Sequence, residues 1–164
     1  MRPNARNEAL TTQTTIRPAQ IDDYATIGTI AETTNLFPAS ALDDMISGYK
    51  NKAVKDIWFV AERSGLVVSF GFCEPERATD GTWNLLAIGV DPNRQGQGIG
   101  AKMMAYIERE LRGQDQRILL VETMGTDEFA LTRSFYKKCG YTEEACIREF
   151  YEPGGDKIVF WKQL

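Results

Sequence analysis

The chain has 164 residues, of which 43% are hydrophobic and 26% charged, enough for one well-packed core but too few for two comfortable domains. Its formal net charge of −4 gives no basic surplus for binding nucleic acid, and no apolar run is long enough to span a membrane. Three cysteines without a C-x-x-C pair fit a reducing compartment, so we expect a cytoplasmic protein with neither nucleic-acid nor membrane partners.

The sequence contains no histidine. Ser-His-Asp and Cys-His catalytic sites are therefore excluded, as are histidine-based zinc sites, and we expect no metal. A general base must be a carboxylate, a tyrosine, a cysteine, a lysine or water.

The predicted elements form one continuous series after a tail, residues 1–13, that we expect to be flexible. Residues 14–164 are predicted to fold as a single domain without a linker. The N-terminal half is predicted to contain a strand, two helices and a hairpin, over residues 14–18, 22–34, 40–50, 57–63 and 66–74. The hairpin prediction depends on Ser64-Gly65, a dipeptide typical of a tight turn.

The C-terminal half alternates strands and helices before a last hairpin. In order, we predict a strand, a helix, a strand, a helix and two strands, over residues 82–90, 98–112, 117–123, 126–140, 141–151 and 156–163. Four apolar residues at helical spacing form one stripe on the first of these helices: Ile99, Met103, Ile107 and Leu111. The whole pattern indicates a mixed α/β or α+β sheet with helices on it.

The helix over residues 126–140 contains an aromatic pair. If this helix begins near Asp127, Leu131 and Phe135 lie one turn apart on an apolar stripe, and we expect Phe135 to be the core residue. Tyr136 lies about 100° further round the helix, so it is predicted to face a more polar boundary.

Three glycines stand at alternate positions in 91-DPNRQGQGIG-100, between a predicted strand and a predicted helix. The first turn of a helix has unpaired N–H groups and a partial positive charge, and glycine lets a phosphate reach them without meeting a Cβ. A glycine turn without a ligand is the weaker explanation, because each ordered glycine costs about 0.5–1 kcal/mol. The loop therefore predicts a phosphorylated ligand.

Two familiar phosphate loops must be compared with this one. Gly96, Gly98 and Ala101 fit the dinucleotide pattern G-x-G-x-x-G/A, with Glu122 where the ribose-binding acid would stand. However, residues 91–95 separate the strand from the first glycine, and too little chain follows for a dinucleotide domain. The P-loop pattern fails because no Gly-Lys-Ser/Thr follows. An NAD(P)-dependent oxidoreductase is thus the less favoured alternative.

The loop resembles the acetyl-coenzyme A signature of the GNAT superfamily of N-acetyltransferases, Arg/Gln-x-x-Gly-x-Gly/Ala, through Gln95, Gly98 and Gly100. The stretch 132-TRSFYKKCGY-141 is similar to the family's helix-to-strand segment, in which Phe-Tyr is followed by Lys/Arg, Gly and an aromatic. The resemblance covers roughly residues 14 to 163. It implies a single-domain α/β (α+β) fold, with a mostly antiparallel sheet of about seven strands, about four helices and splayed central strands.

The resemblance also implies a reaction and a cofactor site. An acetyl group would pass from acetyl-coenzyme A to a primary amine, with Tyr136 near the sulfur as general acid. The loop amides would bind the pyrophosphate, and the preceding strand the pantetheine arm. The cofactor-binding residues expected on this basis are Ile88, Gly89, Val90, Gln95, Gly96, Gln97, Gly98, Ile99 and Gly100. Arg133 is the best candidate among the nearby cations for a coenzyme A phosphate.

The reaction also needs a general base. An acceptor ammonium with a pKa near 10.4 must lose its proton before it attacks, which costs about 4.6 kcal/mol at pH 7. The family often has a carboxylate on the strand before the loop, but 82-TWNLLAIGV-90 contains no acid. Glu122 on the next strand is the nearest candidate, and water relayed by backbone groups stays open. No cysteine has an evident activating partner, so we expect direct transfer without an acyl-enzyme.

Several alternatives stay open. The acceptor is expected to be a small-molecule or peptide amine that the sequence does not identify, and a homodimer is possible. A regulatory module that binds acyl-coenzyme A without catalysis, and a transferase of larger acyl groups, also remain.

Overall fold

The computed structural model describes residues 13–164, so the predicted flexibility of the tail falls almost wholly outside the described residues. The strands and helices are, in chain order, β1 (Thr14–Pro18), α1 (Tyr24–Thr33), α2 (Leu42–Lys50), β2 (Ile57–Arg63), β3 (Leu66–Pro75), β4 (Thr82–Val90), α3 (Ile99–Arg112), β5 (Ile118–Met124), α4 (Ala130–Lys138), β6 (Thr142–Glu152) and β7 (Gly155–Gln163). Each predicted element is present. The helices differ most from prediction at their N-termini, where single 3-10 turns precede α1, α2 and α4.

The strands form one seven-stranded sheet in the order β1-β2-β3-β4-β5-β7-β6. β1 pairs antiparallel with β2, and β7 pairs antiparallel with both β5 and β6, whereas β4 and β5 are parallel. With four α-helices in the described chain, this confirms the predicted α/β (α+β) class and its mostly antiparallel sheet. A dinucleotide-binding domain needs a mostly parallel, doubly wound sheet, so the fold contradicts the oxidoreductase alternative.

The parallel pairing of β4 with β5 is short. It joins Thr82–Leu85 to Ile118–Val121, while β4 continues to Val90 and β5 to Met124. Residues 86–90 of β4 therefore lie beyond the register, as expected for splayed central strands.

The described chain divides into two compact units, the first made of residues 13–72 together with 87–106. Its core lies between α1, α2 and the strands, and Trp58 is its centre: the indole stacks on Phe72 at 4.2 Å and on Phe70 at 6.3 Å between ring centroids. Ile27 and Ile46, one from each helix, are fully buried in the same cluster. This unit contains the glycine loop.

The second unit comprises residues 73–86 and 107–164. A buried ion pair joins three of its elements, because Lys162 Nζ lies 2.8 Å from Glu108 Oε2 and donates to the Cys139 carbonyl at 2.7 Å. Tyr141 donates from its hydroxyl to the other oxygen of Glu108 at 3.1 Å. The network fixes the C-terminal end of α4 to β7 and to the last turns of α3.

The predicted apolar stripe of α3 is confirmed, since Ile99, Met103, Ile107 and Leu111 are at most 1% exposed. α3 is the longest of the described helices, with 14 residues. None of the helices in this part of the chain is long and apolar enough to cross a bilayer.

Candidate active site

The glycine loop leaves β4 through a tightly specified turn. The Asp91 side chain accepts a hydrogen bond from Asn93 N at 2.9 Å and so caps the 3-10 turn Pro92–Arg94. Gln95 then reaches back and donates from Nε2 to the Val90 carbonyl at 3.1 Å. These side-chain contacts fix the path of the backbone before the first glycine.

Two glycines give the loop its shape. Gly96 and Gly98 have φ angles of +73° and +76°, in the left-handed region that favours glycine, and a Cβ at either would meet no atom within 4 Å. Within the described chain, the N–H groups of residues 98–101 donate no hydrogen bond to a backbone or side-chain acceptor. A run of unpaired donors therefore surrounds open space at the N-terminus of α3, an arrangement that suits an anion.

The end of β4 presents its backbone in two directions. Gly89 accepts a hydrogen bond from Ser69 Oγ at 2.7 Å, and Asp91 N donates to the Val68 carbonyl at 2.9 Å, so both residues face β3. Backbone groups alternate along a strand, and those of Ile88 and Val90 therefore point away from β3. Of the three strand residues predicted to bind the cofactor, Gly89 and Val90 have carbonyls with a side-chain partner, Ser69 and Gln95 respectively.

The loop has one contact that sequence reasoning missed. Arg63, the last residue of β2, donates from Nη1 to Gln97 Oε1, and its Nε and Nη2 donate to Thr14 Oγ1 at 3.2 and 3.1 Å. The arginine thereby holds the side chain of Gln97 to the end of the hairpin. Nothing local in the sequence indicates this contact, because 34 residues separate the partners.

The predicted orientation of α4 is wrong. Tyr136 is buried, with 5% of its surface exposed, whereas Leu131 is 86% exposed and Phe135 is only partly buried. The predicted positions of these residues along the helix were correct, but the wrong face of the helix was assigned to the core. If Tyr136 faces the sheet, Leu131 lies about 140° and Phe135 about 100° from it around the helix axis. Neither side chain can then point into the core together with Tyr136.

Tyr136 packs among aromatic rings in the second unit. Its ring centroid lies 5.6 Å from that of Phe160 on β7 and 6.1 Å from that of Tyr141. Burial, with a smaller contribution from Cys139, raises the pKa of Tyr136 well above that of an ordinary phenol. The hydroxyl therefore stays protonated at neutral pH and can act as a proton donor.

Glu122, the predicted base, is an ion-paired residue. Its Oε2 lies 2.7 Å from Lys157 Nζ, with 25% of the Glu122 side chain and 12% of the Lys157 side chain exposed. The pairing of β5 with β7 produces this contact, since it sets Met124 opposite Lys157 and Glu122 opposite Val159. Lys157 could not be predicted as a partner of Glu122 from the sequence, because its position depends on that register.

Arg133 has a structural role that the sequence did not predict. Its Nη1 donates to the carbonyls of Met124 and Thr126, at 2.8 and 2.7 Å, and so ties α4 to the connection that follows β5. A contact with a coenzyme A phosphate stays a prediction.

The structure also brings an acid to β4, the strand in which the sequence has none. Asn84 on β4 donates from Nδ2 to Glu76 Oε1 at 3.0 Å, and Glu76 follows the end of β3. Asn84 is 4% exposed and Glu76 is half-buried, so the pair lies at the edge of the interior of the second unit.

Comparison with known proteins identifies the family. Residues 55–143 match the family model of the acetyltransferase (GNAT) domain, whereas no curated protein sequence matches significantly. A GNAT-family protein from Desulfovibrio desulfuricans is 26% identical, with a TM-score of 0.85 over 92% of this chain and 99% of the other.

Two more distant structures share the fold. A Salmonella typhimurium protein with acetyl-coenzyme A bound is 20% identical, with a TM-score of 0.78 over 93% of this chain and 95% of that one. The ribosomal-protein-S18-alanine N-acetyltransferase of Escherichia coli is 20% identical, with a TM-score of 0.74 over 92% and 94%. The chain belongs to the GNAT family of acetyltransferases and is an acyltransferase.

Proposed function

We propose that this acyltransferase moves the acetyl group of acetyl-coenzyme A to the primary amine of a small-molecule or peptide acceptor. The observation that carries the proposal is the run of unpaired amides over residues 98–101, beside the left-handed glycines Gly96 and Gly98. A pyrophosphate in that space would accept several of these N–H groups and would lie at the positive end of α3. The acetyl-coenzyme A in the Salmonella structure supports this choice of ligand.

The pantetheine arm is an amide chain and needs backbone partners. Ile88 and Val90 offer theirs, because their N–H and C=O groups point away from β3 and lie beyond the register with β5. Val90 O is partly engaged by Gln95, which leaves the groups of Ile88 as the best partners. The arm would then run along β4 from the loop toward the start of the strand.

Tyr136 is the proposed general acid. A thiol has a pKa near 8.5 and a phenol near 10, so complete transfer of the phenolic proton to the leaving thiolate would cost about 2 kcal/mol even without burial. Burial increases that cost. We therefore expect the hydroxyl to donate a hydrogen bond to the sulfur as its charge develops, with proton transfer late in the reaction.

Glu122 is the proposed base, with water relayed by backbone groups as the alternative. The acceptor ammonium gives its proton to the carboxylate, and the neutral amine attacks the thioester carbonyl carbon. The carbon–sulfur bond then breaks, and the thiolate takes a proton from Tyr136. The products are an N-acetyl amine and coenzyme A. The nitrogen loses a second proton as the amide forms, and this proton returns through solvent to the Tyr136 phenolate. The proton held by Glu122 leaves to solvent, so each turnover releases one proton.

A ligand panel tests the proposal first. Thermal unfolding is measured with acetyl-coenzyme A, a longer acyl-coenzyme A, NADH and NADPH, since a ligand at about 100 times its Kd adds about 2.7 kcal/mol. Thiol release is then followed across primary amines. We expect stabilisation by acetyl-coenzyme A and amine-dependent thiol release. Stabilisation without release by any amine would favour a regulatory acyl-coenzyme A-binding module, and a preference for the longer thioester would favour a transferase of larger acyl groups.

Tyr136→Phe tests the acid. The variant keeps the ring and its packing, and we expect kcat to fall by about 100-fold or more, the usual contribution of a general acid. Tyr141→Phe is the matched control, because it removes another buried hydroxyl whose partner is Glu108 and not a reacting atom. A fall in kcat of less than about threefold in Tyr136→Phe, or an equal fall in both variants, would remove Tyr136 from the mechanism.

Glu122→Gln tests the base. The variant would depend on amine that is already neutral, so kcat/KM should rise about tenfold per pH unit toward an amine pKa near 10.4. The exposed residue Glu144 on β6 provides the control variant Glu144→Gln, which should keep the wild-type profile. A Glu122→Gln profile identical to that of the wild type would leave the water relay as the base.

A further inference from the structure

Lys157 fills a small site for a cation in the second unit. Its Nζ lies 2.7 Å from Glu122 Oε2 and 3.8 Å from the centroid of the Phe150 ring. A carboxylate and an aromatic face together form a typical receptor for an ammonium group, since both attract the charge and the ring replaces part of its hydration shell. We call these two groups, Glu122 and Phe150, the ammonium site.

A bulge in β6 brings Phe150 over the lysine. Ile147 pairs with Lys157 and Glu152 with Gly155, so residues 148–151 of β6 stand opposite residue 156 alone. Glu149 within the bulge has a φ of +52°, and its N–H donates to Asp156 Oδ1 at 2.9 Å. A non-glycine residue in this conformation needs support, which the hydrogen bond supplies. The placement of the ring is therefore built into the hairpin.

The ammonium site is open to solvent on the aromatic side. Phe150 is 51% exposed, and the side chain of Glu122 is 25% exposed. Burial raises the pKa of the Tyr151 hydroxyl, and the negative charge of Glu122 raises it further, so Tyr151 lies close to the carboxylate. A ligand can thus approach the carboxylate past Phe150 and Tyr151. Because solvent reaches the ion pair of Lys157 with Glu122, this ion pair is weak enough for another cation to replace the lysine.

We propose that the Lys157 side chain is an internal stand-in for the acceptor, and that an unbranched primary alkylammonium displaces it from the Glu122–Phe150 site. The class of acceptor follows from the present occupant, because the site holds the end of a straight four-carbon chain with a terminal ammonium. Lysine-like side chains and simple alkylamines have this shape. The inference rests on the proposed function in one respect: Glu122 is the residue that receives the amine.

Removal of the lysine tests the displacement. Lys157→Met keeps a straight side chain but has no charge to compete for Glu122, and butylammonium is the probe. In thermal unfolding with butylammonium, we expect the variant to bind about fivefold more tightly than the wild type, the size of one partly exposed ion pair. In the acetyl-coenzyme A reaction, KM for butylamine should fall by a similar factor while KM for acetyl-coenzyme A stays unchanged.

Two further variants complete the test. Lys138→Met is the control for the change in net charge, since Lys138 is an exposed residue at the end of α4, and it should bind butylammonium as the wild type does. Lys157→Met/Phe150→Leu removes the ring as well and should lose about half of the gain or more. The melting temperatures without ligand show whether each variant is folded.

The outcomes separate this inference from the proposed function. Tighter butylammonium binding in Lys157→Met without thiol release by any variant would support the ammonium site and contradict acetyl transfer to amines. Amine-dependent thiol release by the wild type, with butylammonium binding and KM unchanged or weaker in Lys157→Met, would overturn the displacement and leave the proposed function standing.

Discussion

The glycine loop can be tested by a single methyl group. Gly98 has a φ of +76°, and the space that its Cβ would enter contains no protein atom within 4 Å. Gly98→Ala therefore produces no clash in the protein alone, and its cost comes from the backbone. An alanine in the left-handed region costs about 1–2 kcal/mol, partly offset by the smaller entropy of its unfolded chain, so we expect a net loss of about 1 kcal/mol.

The effect on acetyl-coenzyme A should be larger than the effect on stability. The methyl group would stand in the space assigned to the pyrophosphate, and relief of the strain would rotate neighbouring amides away from it. The loss of one or two charge-assisted hydrogen bonds corresponds to a decrease in affinity of about 10- to 100-fold or more. Isothermal titration with acetyl-coenzyme A measures the affinity, and thermal unfolding should show a decrease in Tm of about 2–4 °C.

Gly65 provides a matched control within the same unit. It lies in the turn between β2 and β3, has the same φ of +76°, and a Cβ there would also meet nothing within 4 Å. Gly65→Ala should lose the same stability and keep wild-type affinity for acetyl-coenzyme A. Wild-type affinity in Gly98→Ala, or the same loss of affinity in both variants, would refute the assignment of the loop as the pyrophosphate site.

Three further predictions concern the framework around the site. Gly71→Ala should destabilise the first unit by about 1–3 kcal/mol in thermal unfolding, because the new Cβ would lie 2.3 Å from the ring of Phe59. Leu111→Ala should cost about 2–5 kcal/mol, since the side chain is fully buried. Asp23→Asn should cost about 2 kcal/mol or more, because it removes a bidentate partner of Arg17 at 2.7 and 3.0 Å. The hydrogen bond from Arg17 lowers the pKa of Asp23, so its contribution is complete above an unfolded pKa near 3.9 and is lost as the pH falls through the folded pKa. Denaturant unfolding of Asp23→Asn should therefore differ from that of the wild type at pH 7 and converge with it at lower pH.

The elements of the fold were predictable because their signals are local. Alternating and helical patterns of apolar residues gave the strands and helices, and Ser64-Gly65 gave the hairpin turn, where both residues have positive φ. The glycine loop was predictable for the same reason, since its conformation follows from the residues within it. The starts of α1, α2 and α4 needed correction, each by one 3-10 turn.

The partners of the site residues were not predictable, because they meet through the pairing of distant strands. Glu122 and Lys157 come together only when the register of β5 against β7 is fixed. Arg63 reaches Gln97 across 34 residues of sequence. A shift of one residue in the pairing of β5 with β7 would move Glu122 and Lys157 to opposite faces of the sheet, and no local pattern specifies that register.

The orientation of α4 shows why hydrophobicity alone can misplace a residue with a proposed catalytic role. Leu131 and Phe135 are the most apolar pair on the helix, yet the sheet beneath it offers Phe160, and α4 places Tyr136 on that ring while Leu131 stays exposed. Two aromatic rings in contact gain both buried area and a favourable ring–ring interaction, so a tyrosine can replace leucine as the core residue of a nine-residue helix.

The burial of Tyr136 has a chemical consequence. A tyrosine at a polar boundary would have an ordinary pKa, whereas burial raises the pKa of Tyr136 and keeps its hydroxyl protonated, as the proposed general acid requires. The burial of Tyr136 therefore determines both the orientation of α4 and the proposed role of the hydroxyl. An alkaline titration of Tyr136 that began near pH 10 would contradict both.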